Sequence, residues 1–226
     1  MIVYHGSEYI IKKPQSRLGR KNNDYGQGFY CTISENMAKE WAVSHGKNGY
    51  VNSYELNEAG LEILDLLNGE YNILNWLAIL LQNRTFSLSN VVAKGAKEYI
   101  LEHFLVQYGK ADLIIGYRAD DSYFTYASDF LNNTLPLSRL EKAMKLGDLG
   151  EQIFLGSEKA FDKLCFLNSE PVAASDYYNL WLRRDSEARM AYRNMKYEMN
   201  NEIFVMDLIR EEWGSNDERL QRIVRG

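Results

Sequence analysis

The stretch DYGQGFYCTISENMAKEWA, residues 24–42, passes through a glycine-flanked turn and a short strand directly into a helix. Gly26 and Gly28 supply the backbone freedom of the turn, and Phe29-Tyr30-Cys31-Thr32 is a β-prone run. Ser34 offers the hydroxyl that caps a helix N-terminus, while Met37, Ala38, Trp41 and Ala42 recur at helical spacing. This predicts a helix over 34–45 closed by Gly46 as the residue after its last turn. A strand feeding straight into a helix sets Tyr30 and Trp41 across a slot from one another. A flat heteroaromatic ligand in such a slot gains about 0.5–1.5 kcal/mol from each ring face it covers. Taken alone, the two aromatics also read as ordinary core residues.

Outward from this stretch, Met1 to His5 reads as a strand, and residues 7–24 as a polar loop rich in Lys and Arg. Residues 50–56 and 61–66 alternate apolar with polar side chains, which predicts two more strands. Helices are expected over 71–83 and 90–108. The run DLIIGY, residues 112–117, is a buried strand leading into the polar turn Arg118-Ala119-Asp120-Asp121. Two shorter helices follow, the second over 137–146, then a strand at 151–155 and a helical turn or two over 158–164. From residue 174 the chain has no glycine until Gly214 and becomes densely charged, with aromatics at helical spacing. Strands and helices intermingle without a βαβ period, so the fold class is α+β, not a doubly wound parallel sheet. A globular domain over 1–170 and a helical C-terminal extension over 171–226 are expected.

The chain has 226 residues, 46% of them hydrophobic, which suffices for a real core. A net charge of −5 argues against a dominant nucleic-acid surface and leaves room for local basic patches. No run approaches the roughly 18 apolar residues of a membrane span. The opening MIVYHGS lacks the features of a signal peptide, and two cysteines, Cys31 and Cys165, build no disulfide framework or metal knuckle. A cytoplasmic protein is the expectation. The three histidines are too dispersed for a zinc helix motif, and no metal is expected. Phosphate-cradling glycine motifs and a nucleophile elbow are also missing from the sequence.

Three separated elements have the chemistry for one polar site. Tyr4-His5-Gly6-Ser7 places an imidazole and a hydroxyl on either side of a glycine, whose backbone a ligand amide can approach closely. Tyr30 and Trp41 form the second element. The third is Glu151-Gln152-Ile153-Phe154 on a late strand, where alternation admits only one of Glu151 and Gln152 to a common site.

This order resembles the ADP-ribosyltransferase superfamily, on His5-Gly6-Ser7, on Gly26-Gln27-Gly28-Phe29-Tyr30 followed by a helix bearing Trp41, and on a late acid or amide. In particular it is similar to the His-Tyr-Glu branch, which includes the poly(ADP-ribose) polymerases and diphtheria-type toxins. More narrowly, YHGS, DYGQGFYCT, ADDSYF and EQIFLGSEKAFDKLCF resemble a bacterial family of unknown function, often encoded beside a small partner as toxin–antitoxin pairs are. The resemblance covers roughly residues 2–168. It implies split antiparallel β-sheets with inserted helices and a toxin-like, NAD-dependent mono-ADP-ribosyltransferase acting on a protein or nucleic-acid acceptor. A small antitoxin partner is implied as well. The nicotinamide of NAD would lie between Tyr30 and Trp41, with its carboxamide on the Gly6 backbone. His5 would bond the adenosine-side ribose, Ser7 would support the nicotinamide end, and Gln152 would hold the nicotinamide ribose.

The chain departs from that pattern in two respects. The branch often carries a glutamate at the third position, and an amide such as Gln152 has no useful pKa for proton transfer. Glu151 is the reserve. Ala38 stands where many relatives place a hydroxyl residue. Arg17, Arg20 and Lys21 are candidates for the pyrophosphate, Asp120 and Asp121 for the acceptor site. Arg183, Arg184, Arg189 and Arg193 in the tail could serve as a contact face for RNA, a protein substrate or a partner. A catalytically weak module that binds NAD or ADP-ribose, and an NAD glycohydrolase, are the alternative functions.

Overall fold

The computed structural model describes residues 1–88, 90–119, 121–146, 150–195 and 202–220, with backbone alone for residues 121–123 and 144. The protein is α+β, with two mostly antiparallel sheets. The first has β1 (Ile2–Ser7) at one edge, β3 (Gly49–Leu56) in the centre and β7 (Leu164–Val172) at the other edge. The second runs in the order β2 (Phe29–Cys31), β6 (Glu151–Leu155), β5 (Leu113–Tyr117) and β4 (Ile63–Asp65). Its one parallel pair is β4 with β5. The sheets meet where Tyr4 and Thr32 exchange backbone hydrogen bonds of 2.8 and 2.9 Å.

Period-2 alternation sorts the second sheet into two faces. Phe29, Cys31, Ile153 and Leu155 bury against Val3, Tyr54 and Leu56 of the first sheet. The other face presents Ile114 and Phe154 to a helical layer. That layer contains α2 (Ile73–Asn83), whose residues from Ile73 to Leu81 are all buried, as expected of a helix apolar on every side. α3 (Val91–Phe104), α4 (Asp121–Leu131) and α5 (Leu137–Met144) complete it with α8 (Val205–Arg210). α1 (Glu35–Ala42) lies on the outer face of the first sheet, packing Ala38 and Ala42 against Val51 and Val172. Asp112 joins the start of β5 to α6 (Glu158–Asp162). It accepts hydrogen bonds from Glu62 N, Ser157 Oγ and Lys159 Nζ, which hold its carboxyl at about 2.

Most expected elements are present with shifted ends. Ser34 caps α1 through its side chain and Gly46 has φ +72°, but the helix gives way to turns after Ala42. α3 stops at Phe104, not 108, because Leu105 turns extended and Tyr108-Gly109-Lys110 folds as a short 3-10 turn. β7 was not foreseen in the sequence. Its polar residues Asn168, Ser169 and Glu170 suit an edge strand, where Pro171 is tolerated near the end. The expected boundary between residues 170 and 171 therefore falls inside a strand. The helical tail begins at α7 (Ala174–Arg193). No helix of the described residues is long and apolar enough to cross a membrane.

Candidate functional site

A cleft of about 270 Å³ is lined by His5, Tyr30, Trp41 and Gln152 together with Asn23, Asp24, Arg84, Arg118 and Ala119. Four elements thus bring the sequence-derived residues to one place. β1 supplies His5, β2 Tyr30, α1 Trp41 and β6 Gln152. Tyr30 pairs directly with Phe154 across β2 and β6, so Tyr30, Gln152 and Phe154 share a face, and Glu151 points the opposite way. Gln152 is 6% exposed, and Glu151 lies open to solvent.

His5 is fixed by Nδ1, which lies 2.7 Å from the Tyr30 carbonyl oxygen, and by its ring, 4.4 Å from Phe29 between centroids. A carbonyl only accepts, so Nδ1 carries the proton and Nε2 of the neutral ring is left as an acceptor. Burial lowers the imidazole pKa below 6.5, against the upward pull of that hydrogen bond. Below pH 6.5 the unfolded chain therefore binds a proton that the folded chain refuses, and stability falls as the pH drops through that window. Melting temperatures between pH 8 and 5 are expected to fall more steeply in the native protein than in His5→Gln; parallel curves would contradict the assignment.

Gly6 has two jobs. Backbone groups in an antiparallel ladder alternate sides, so its N–H and C=O point the same way as those of Tyr4, which pair with Thr32 and not with β3. Its missing side chain faces α1, where a Cβ would stand 2.0 Å from the Ala38 oxygen and 2.8 Å from Trp41 Cβ. This close approach seats Trp41 beside the strand. Ser7 Oγ accepts from Tyr9 N at 3.2 Å and serves the local turn. Tyr30 is held by its hydroxyl, which donates to Gly26 O at 2.6 Å and accepts from Tyr25 N at 3.1 Å. Burial pushes the phenol pKa up, so it stays neutral.

Two buried polar atoms of cleft-lining residues, Trp41 Nε1 and Gln152 Oε1, have no hydrogen-bond partner among the described residues. Each such group costs about 1–3 kcal/mol.

The charges of the cleft were missed in the sequence. Asp24 is 4% exposed; its carboxylate accepts from Arg84 Nε and from Ala119 N, each at 2.9 Å. Burial raises its pKa while Arg84 opposes the rise. Arg118 lies over the Trp41 ring, 4.4 Å from its centroid. Arg20 is exposed and does not line the cleft, nor do Arg17 and Lys21. Arg84 and Arg118 are the cations there. Proximity of Asp24 to the glycine turn was the available signal, whereas Arg84 comes from the end of α2.

Asp120 and the Asp121 side chain lie outside the described residues. Three of the tail arginines are engaged: Arg184 bonds Glu40 and Met37 of α1, Arg183 faces Glu187, and Arg189 pairs with Asp185. The groove of about 730 Å³ between α1 and α7 contains Glu40 and Arg184 but none of the four cleft residues. Cys31 is buried, and burial pushes its thiol up, as befits an inert thiol. Among the described residues no group of three His, Cys, Asp or Glu side chains is arranged to hold a metal ion.

No curated protein and no solved structure matches this chain. The model of one family matches residues 1–166, which take in β1 to β6, the start of β7 and α1 to α6, and the chain belongs to that family, described as a protein of unknown function (DUF3990).

Proposed function

We propose that the protein is an NAD-dependent mono-ADP-ribosyltransferase. The observation that carries this reading is the convergence of His5, Tyr30, Trp41 and Gln152 from both sheets and α1 on one cleft. In this reading the nicotinamide ring lies between Tyr30 and Trp41 and its carboxamide pairs with Gly6. His5 Nε2 accepts from a hydroxyl of the adenosine-side ribose. Gln152 Oε1 accepts from the nicotinamide ribose, which supplies its missing partner. Arg84 and Arg118 take the pyrophosphate in place of Arg20. The volume, at the low end for small-molecule pockets, suits the nicotinamide half of the dinucleotide, with the rest extending out of the mouth.

The reaction breaks the bond between the ribose anomeric carbon and the nicotinamide nitrogen, whose electron pair leaves with nicotinamide. A nucleophile on the acceptor then bonds that carbon and gives up its proton. Gln152 cannot take the proton, so the chain's contribution is positioning and stabilisation of the oxocarbenium-like sugar. The acceptor must be a competent nucleophile by itself. The amide at 152 also favours the second reading, a module that binds NAD with little turnover.

Incubation with NAD labelled in the adenosine half, alongside a bacterial lysate, separates these readings. Label on a macromolecule with stoichiometric nicotinamide is the expected result. Free nicotinamide without labelled acceptor indicates hydrolysis instead. Saturable binding without NAD loss leaves the binding module, and neither binding nor loss removes NAD altogether.

A further inference from the structure

The loop from Tyr9 to Asn23 carries Lys12, Lys13, Arg17, Arg20 and Lys21 and no acidic residue. All five cations are exposed, and none of their side chains forms an ion pair or hydrogen bond with the described residues. In a chain of net charge −5 this is a local concentration of positive charge, with no counterpart in the overall composition.

The backbone beneath these charges is held at several points. Buried Asn52 donates to Tyr9 O at 3.1 Å and accepts from Ile11 N at 2.9 Å, and Tyr54 donates to Ile11 O. Gln27 Nε2 donates to Arg17 O at 2.6 Å and Gly19 O at 2.9 Å, while Arg84 Nη1 reaches Asn22 O at 3.0 Å. Arg17 is kept at φ +70°, a left-handed conformation that a non-glycine residue adopts at a cost. The backbone therefore needs little ordering on binding, and the remaining cost is that of the Lys and Arg side chains. Its far end is Asn23, which lines the cleft beside Asp24, and its near end is Tyr9, 71% exposed.

We infer that this loop is a docking surface for single-stranded nucleic acid, which delivers a strand to the cleft mouth. A linear array of phosphates matches cations spread along a fixed, irregular loop, and the open Tyr9 ring gives a base a face to stack on. An acidic polypeptide matches the charges but offers no base for that ring. Binding by the loop stands independently of NAD chemistry; only the further step, that the strand is the acceptor, rests on the transfer reading.

The test uses the full chain, without NAD, and a fluorescently labelled single-stranded oligonucleotide of about 20 nucleotides, read by anisotropy. Five phosphate contacts give a log–log salt slope of about −3.5, so affinity falls about 100-fold between about 50 and about 200 mM salt. Lys12→Gln with Lys13→Gln is expected to reduce the slope by about 1.4. Tyr9→Ala weakens binding and leaves the slope unchanged. Circular dichroism confirms that the variants fold. Absence of binding at low salt, an unaltered slope in the double variant, or equally tight binding of poly-glutamate each overturns the proposal. NAD consumption is measured in parallel. Strand binding without NAD loss supports the docking surface and counts against transfer, whereas NAD loss without strand binding overturns the docking surface alone.

Discussion

Gly6→Ala is expected to lower the melting temperature by roughly 6–12 °C, from a cost of about 3 kcal/mol and about 2–4 °C for each 1 kcal/mol in a chain of this size. The added Cβ stands 2.0 Å from the Ala38 carbonyl oxygen and 2.6 Å from Ala42 N. Both are helix backbone atoms, so no rotamer change relieves the overlap, and α1 has to lift from β1. Trp41 then moves away from His5 and Tyr30, so that a variant that still folds also loses ligand affinity at the cleft. α7 adds to the constraint, because Arg184 bonds Glu40 and Met37 of α1. Gly95→Ala is the control. It lies in α3, its Cβ meets nothing within 4 Å, and helix propensity predicts a gain of up to about 1 kcal/mol. Thermal melts of both variants decide the matter; a Gly6→Ala protein that melts with the native one shows that α1 is not seated as described.

The contrast between these glycines marks what could be read from sequence and what could not. Short-range periodicity placed α1, α2 and the strands at 50–56, 112–117 and 151–155, because each buries one face or is buried throughout. It failed at β7, an edge strand whose exposed polar residues carry no period-2 apolar signal. The same division runs through the cleft. His5, Tyr30 and Trp41 announce themselves in local motifs, and strand alternation reduced Glu151 and Gln152 to a choice that only the register with β2 resolves. Asp24 and Arg84 are 60 residues apart, and their pairing depends on how α2 ends against the glycine turn. Nothing in the spacing of either residue encodes that contact. Arg20 illustrates the converse: a basic residue between two motifs suggested a phosphate contact, but the hydrogen bonds of Gln27 hold its loop with Arg20 turned to solvent. Gly6 stands out in the sequence for access to its backbone, while the stronger requirement for glycine comes from α1, against which its Cα packs.

Under the transfer reading, Gln152→Ala and His5→Ala are each expected to reduce kcat/KM for NAD by about 100-fold or more, the scale of losing one preorganised polar contact to the reacting ligand. Glu151→Ala should remain near the native value, since its side chain is exposed on the opposite face of β6. Initial rates of nicotinamide release, with circular dichroism as the check on folding, measure all three. Tyr30→Phe separates stacking from positioning, for it keeps the ring and removes the hydroxyl bonds to Gly26 O and Tyr25 N. Gln152→Glu probes the chemistry itself. A carboxyl at this buried position has a raised pKa, so the pH–rate profile gains an ionisation that the native amide lacks. If the acceptor's proton departs unaided in the native enzyme, the carboxylate form of that variant also activates water, and nicotinamide release without labelled acceptor rises above pH 7. A Gln152→Ala protein as active as Glu151→Ala, with both folded, would remove β6 from the site and leave the cleft without the group that meets the ribose.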